Sequence, residues 1–172
     1  MERFAEVKEN ARRRALLVGA YLDGEPAEEA AGLLDELKEL AQNLDFEVAG
    51  LELVKLRELH AHYLVGSGKF AQIKAKANRL KCGFIIFDNA ISPAQQRNWE
   101  RDSRKCVIDR QEVILEIFAR RAATKEAVLQ TELARLKYSL PRLKRSWTHL
   151  SRQRGGGVTQ RGAGESQLET DR

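Results

Sequence analysis

Gly66-Ser67-Gly68-Lys69 is the group of residues with the most familiar chemistry, because glycine amides and a lysine ammonium together can cradle a phosphate. A complete phosphate loop, G-x-x-x-x-G-K-[ST], would also need glycine at position 63 and a magnesium-binding hydroxyl at position 70. The chain has Tyr63 and Phe70 there. Two readings stay open for Gly66, Gly68 and Lys69: a nucleotide-binding turn in an α/β domain, or a plain strand-to-helix turn. His60 and His62 are two residues apart, and no third histidine or nearby cysteine completes a ligand set. No metal site is expected from them. His149, in a basic segment, could touch phosphate but suits packing beside Trp147 better. No Ser/His/Asp or Cys/His arrangement emerges, so the chain shows no catalytic residues of its own.

Charge makes a sharper signal. Arg135, Lys137, Arg142, Lys144, Arg145, Arg152 and Arg154 lie within twenty residues that contain no Asp or Glu. With 30 basic and 25 acidic residues the chain carries +5 overall, so the remainder is close to neutral at −2. A solvated helix face normally mixes both signs. A one-sign stretch of this density points to a polyanion, and to salt-sensitive contact with nucleic acid phosphates. It runs into a glycine-rich segment, in which Gly155, Gly156, Gly157, Gly162 and Gly164 permit close backbone approach to a ligand. Arg152, Arg154 and Arg161 add fork-like donors suited to phosphate or a guanine edge, and Glu165 closes the same segment. A narrow helical arm with such a tip fits irregular single-stranded RNA better than a regular duplex groove.

The elements that must carry these residues follow from hydrophobic periodicity. Arg14 to Leu22 is an apolar run of strand length, and a turn with Pro26 opens a helix whose stripe is Leu33, Leu34, Leu37, Leu40, Ala41 and Leu44. A strand from Phe46 to Val54 comes next, then a helix from Ser67 to Leu80 with Phe70, Ile73, Ala77 and Leu80 on one face. Gly83 to Asp88 reads as a strand covered on both faces. Ser92, Pro93 and Gln95 provide an N-cap, a first-position proline and a capping-box partner. Cys106 to Ile108 is a short fourth strand. This order predicts an α/β fold with a small, mainly parallel four-stranded sheet and flanking helices over residues 1–109. Residues 110–172 form a second region: one long helix from about Arg110 to Ser151, bent or loosened at Pro141, and then the glycine-rich loop. Leu129, Leu133, Leu136, Leu140, Leu143, Trp147 and Leu150 repeat at 4, 3, 4, 3, 4, 3, a coiled-coil seam that calls for a partner helix. Tyr138 could stack on a base or join that seam. Ser166 and Glu169 have the spacing of a further helix start.

Composition narrows the class. With 32% charged residues and no apolar run near the ~18 residues of a membrane span, integral insertion is excluded. The first residues, MERFAEVKENARRR, lack the apolar stretch of a secretory signal, which predicts a cytoplasmic protein. Cys82 and Cys106 match no zinc spacing and read as buried thiols.

The strings LQTELARLKYSLPRLKRSWTHLSRQRGGGVTQRGAGESQLETDR, FDNAISPAQQRNWE and VIDRQEVILEIFARRAATKEA resemble the signature of the HflX-type ribosome-associated GTPases, from about Leu16 to Arg172. Ala163, Ser166 and Gln111 stand where that family usually has Pro, Thr and Thr. The resemblance implies an N-terminal α/β subdomain, a two-helix coiled coil joined by the glycine-rich loop, and a GTPase domain using GTP and Mg2+. It also implies docking on the large ribosomal subunit, with the loop reaching ribosomal RNA, and a role in splitting or rescuing stalled ribosomes under stress. The G-x-x-x-x-G-K-[ST], D-x-x-G and N-K-x-D motifs are absent from these 172 residues. The second hairpin helix and the GTPase domain are accordingly expected beyond Arg172, and the uncovered seam is expected to self-associate or to capture another helix.

Overall fold

A computed structural model describes residues 13–154, with side chains as far as Arg142. Four strands, β1 (Arg14–Leu22), β2 (Glu47–Leu56), β3 (Phe84–Phe87) and β4 (Cys106–Asp109), form one sheet in the order β2-β1-β3-β4. All three pairings are parallel. Helices α1 (Ala27–Asn43), α2 (Ser67–Arg79), α3 (Pro93–Ser103) and α4 (Arg110–Arg121) connect or follow the strands, and α5 (Lys125–Arg154) comes last. The α/β architecture expected from the alternating pattern is present, with strand limits shifted by one or two residues at β2.

β1 is the centre. Ala15, Leu16, Leu17 and Val18 are completely buried, because alternate residues point into two separate apolar layers. On one side Leu16 and Val18 meet Val54, Ile73, Ala77, Ile85, Phe87 and Trp99 beneath α2 and α3. On the other, Ala15 and Leu17 meet Leu34, Leu37, Ala41, Ile86, Ile108, Val113 and Ile117 beneath α1 and α4. Leu33 is the exception in the expected α1 stripe, being 42% exposed. Gly50 on β2 permits the closest helix approach. A Cβ there would stand 3.0 Å from the Leu80 Cδ1 methyl.

Ser92 caps α3 through the Gln95 amide, and the Gln95 side chain answers at the Ser92 amide, the reciprocal pair expected from the sequence. The single helix expected from Arg110 onward is instead two. Ala122 leaves the helical conformation (φ −66°, ψ 109°), and the Thr124 hydroxyl accepts from the Ala127 amide to start α5. A threonine cap costs nothing in helix-forming composition, so the residue count alone hid the break. The consequence is geometric: α5 folds back antiparallel along α4 rather than continuing away from the sheet. Pro141 lies inside α5 without ending it.

Candidate nucleic-acid interface

The basic segment is mounted on α5, and a polar network fixes where α5 sits. Asp109, 1% exposed, ends β4 and caps α4 by accepting from the Glu112 amide at 3.1 Å. The same carboxylate accepts from the Tyr138 hydroxyl at 2.8 Å and from the Ile91 amide at 3.3 Å. Arg142 completes the joint: its guanidinium lies 3.5 Å from Asp109 Oδ2, donates to Gln96 Oε1 at 2.8 Å and to the Ile91 carbonyl at 3.1 Å, and stacks 3.5 Å from the Tyr138 ring centre. Burial first, and then the negative charge of Asp109, pushes the Tyr138 phenol well above its ordinary range. Tyr138 is a committed donor. Lower down, Arg135 pairs with Glu116 of α4.

These contacts divide the predicted RNA-binding residues. Arg135 and Arg142 are turned toward the body and hold the arm, with Arg142 only 14% exposed at its side chain. Lys137 is exposed. Lys144, Arg145, Arg152 and Arg154 lie on the final turns of α5, and their side chains are outside the described residues. Gly155, Gly156, Gly157, Arg161, Gly162, Gly164 and Glu165 are also outside the described residues, as are the side chains of Leu143, Trp147, His149 and Leu150. Tyr138 belongs to the body joint rather than to the seam or a base-stacking surface. In the seam itself Leu129, Leu133, Leu136 and Leu140 are 65%, 53%, 61% and 44% exposed.

The GSGK turn is the mouth of α2. Gly66 is its N-cap in extended backbone (φ −66°, ψ 158°), Gly68 and Lys69 are exposed on its first turn, and the Gly66 position abuts the His60 ring. Doubly wound sheets instead bind ligands where the strand order reverses, at the carboxyl ends of the strands. Here that point lies between β1 and β3, and a cleft of about 250 Å³ opens there. Glu25, Glu29 and Asp88 line it, and Asn89 fills its floor by accepting from the Ala20 amide (2.7 Å) and donating to the Ala20 carbonyl (2.8 Å). With no lysine or arginine in its lining and the Asn89 amide already occupied, the cleft offers phosphate no cradle, and its carboxylates repel one. Asp88 is in turn held by Arg110, which also reaches Glu36.

Elsewhere, His62 is tied to Asn98 and His60 to Leu64, and no three metal-ligating side chains converge among the described residues. The Arg101 guanidinium and the Tyr63 hydroxyl hold the Asp102 carboxyl well below the usual carboxylate range. Cys82 is buried, whereas Cys106 is only half-buried at the start of an edge strand, against the expectation of two buried thiols. Sequence reasoning missed Asn89, Gln96, Asp109 and Arg110 as a set. Their signal was position: polar residues at or just past the ends of strands β3 and β4 and on the buried face of α3.

Comparison with known proteins places these features in context. Residues 32–119 match the family described as GTP-binding GTPase N-terminal, and residues 121–172 match the GTP-binding GTPase middle region. The GTPase HflX of Akkermansia muciniphila is 51% identical over 125 residues, which cover 73% of this chain and 29% of that protein. The Escherichia coli GTPase HflX is 42% identical over 129 residues, 75% of this chain and 30% of that protein. The chain therefore spans under a third of the length of these relatives. A GTP-binding protein of Sulfolobus solfataricus, solved in complex with GDP, superposes with a TM-score of 0.58 at 26% identity over 82% of this chain and 41% of that one.

Proposed function

Because the chain belongs to the HflX GTPase family, as its N-terminal and middle regions, we propose that it is the part of such a GTPase that docks on the large ribosomal subunit and presents α5 and the glycine-rich segment to ribosomal RNA. The observation that carries this reading is the arm itself. α5 is fixed to the body up to Arg142 and continues for three further turns to Arg154, with no acidic residue between Arg135 and Arg154 to offset its bases. Phosphates would be drawn to Lys137, Lys144, Arg145, Arg152, Arg154 and Arg161, while Gly155, Gly156, Gly157, Gly162 and Gly164 let the backbone approach the RNA. The Asp109 joint would keep the arm at a set angle, so that docking of the body aims the loop. GTP and Mg2+ belong, on this reading, to the remaining length of the family proteins, where hydrolysis would time release and thereby the splitting or rescue of stalled ribosomes under stress, in the cytoplasm.

Co-sedimentation with purified large and small ribosomal subunits over a salt series tests the proposal, beside the Arg152/Arg154/Arg161→Glu variant. Salt-sensitive binding to the large subunit that the variant loses supports it. Equal binding to both subunits, or indifference to the charge reversal, overturns it.

A second reading is favoured by the exposed leucines of the seam: the arm captures another helix or a second copy of the chain. Concentration-dependent association removed by Leu136→Lys would support this, and a monomer at all concentrations would end it. Nucleotide binding by the α/β unit through Lys69 has less in its favour, given the exposed GSGK turn and the acidic cleft. Saturable nucleotide binding lost in Lys69→Ala would revive it.

A further inference from the structure

The short segment that follows β3 touches both the cleft between β1 and β3 and the joint that holds the arm. Its first half is tied to β1: the Asp88 amide donates to the Val18 carbonyl at 2.9 Å, and the Asn89 side chain spans the amide and carbonyl of Ala20. Asp88 and Asn89 also line the cleft. Its second half is tied to the joint. The Ile91 amide donates to Asp109 Oδ2 at 3.3 Å, and Arg142 Nη2 donates to the Ile91 carbonyl at 3.1 Å. Those same two side-chain atoms face each other at 3.5 Å, so Ile91 is bracketed by the two halves of one ion pair. Only Ala90 stands between, and Asn89 and Ile91 are separated by at most about 7 Å of chain. Asp88 adds a parallel tie through Arg110, the residue after Asp109. We propose that residues 88–91 are a relay through which the state of the cleft sets the position of α5, and through which α5 acts in turn on the end of β1.

A buried residue needs partners for its backbone groups, and Ile91, 3% exposed, has them. Any donor and any acceptor would meet that need. Here the two are a mutually paired carboxylate and guanidinium, one from the end of β4 and one from α5. A shift of Ile91 therefore loosens at least one side of the triangle that positions the arm. The arm is mounted so that it can respond. No residue of α5 as far as Arg142 belongs to either apolar layer of the body, and the chain leaves the helical conformation at Ala122, just before α5 begins. Moving α5 exchanges polar contacts for water at small net cost, and leaves the core closed. The Ala20 amide is equally exposed to the change, because it donates to the Asn89 side chain and not to a neighbouring strand. Coupling between two places requires a contiguous set of bonded groups and an element able to change position, and the relay and the arm supply them.

The test follows amide hydrogen exchange residue by residue, by NMR, in the full chain. Asn89→Ala should speed exchange about tenfold over residues 134–142 of α5, while residues 34–41 of α1 keep the parent's rates. Glu29→Gln alters the lining of the cleft but no contact of the relay, and should leave α5 as it was. Val54→Ala, a core truncation away from the relay, controls for general loss of stability. Coupling acts in both directions. Arg142→Lys, which keeps the charge and loses the planar fork, should therefore speed the Ala20 amide about tenfold and leave the ladder amides of β1 unchanged. Acceleration by Asn89→Ala confined to residues 20–22 and 88–90, with α5 unmoved, would overturn the proposal. An acceleration of α5 in Val54→Ala or Glu29→Gln that matches the one in Asn89→Ala would do the same, as would an Ala20 amide indifferent to Arg142→Lys.

Discussion

The α/β body and the α5 arm are held by different forces. The body is sealed by two apolar layers on either face of β1, with Trp99, Leu37 and Ile86 wholly buried, and each layer is contributed by many residues of similar kind. The arm shows solvent a row of leucines and touches the body mainly through charged and hydrogen-bonded groups: Arg135 on Glu116, Tyr138 on Asp109, Arg142 on Gln96 and Ile91. Apolar burial is tolerant of position and makes the body stable. A few directional polar contacts are not tolerant, and they make the arm's placement specific.

The strongest way to break the comparison is to attack the body. Trp99 is completely enclosed by Tyr63, Phe70 and Phe87, and its indole donates to the Tyr63 carbonyl at 2.7 Å. Trp99→Ala should cost about 4 kcal/mol, and thermal denaturation should show the whole α/β unit, rather than the arm alone, melting earlier. Asp109→Ala comes next, at about 3 kcal/mol, because it leaves Arg142 and Tyr138 without their shared acceptor. Hydrogen exchange should quicken through 125–142 while β1 and β3 stay protected. If β1 loses protection equally, the joint is part of the core and the division drawn above is wrong.

That division also governs what could be read in advance. Periodicity and apolar runs located all four strands and the first three helices because burial repeats along the chain. The break at Ala122–Thr124 and the Asp109 joint depend on single residues whose partners are distant in sequence, Asp109 with Tyr138 or Gln96 with Arg142. Nothing periodic announces such a pair. The basic segment was legible as a charge run, but whether a given arginine faces outward was not. Arg135 and Arg142 have the same composition signal as Lys137 and the opposite disposition.

Smaller effects sharpen the contrast. Tyr138→Phe removes one buried donor and should cost about 1 kcal/mol at neutral pH. Its pH dependence has a definite sign: the phenol's pKa is raised by folding, so this contribution is complete below the unfolded value of about 10 and declines as pH rises beyond it. Urea titrations should therefore show the parent and Tyr138→Phe converging above that pH. A constant gap would mean the hydroxyl is not the source of the difference. Thr124→Ala, which removes the α5 cap, is expected to cost about 1 kcal/mol and to raise exchange in the first turn of α5. Leu136→Lys should do least, within about 0.5 kcal/mol for a monomer because the side chain is already 61% exposed. A large loss in that variant, seen by the same denaturant titration, would show that the seam is covered in solution.

The Asn89 side chain has a consequence for what this scaffold can become. By accepting from the amide and donating to the carbonyl of Ala20, it acts as a one-residue surrogate for the neighbouring strand that β1 loses where β3 ends. The point at which doubly wound sheets ordinarily admit small molecules is thus bridged from within, beneath the cleft that Glu25, Glu29 and Asp88 line. The same layout that elsewhere leaves two strands to diverge here ties the end of β1 to the segment after β3, one side chain doing the work of a further pair of ladder bonds.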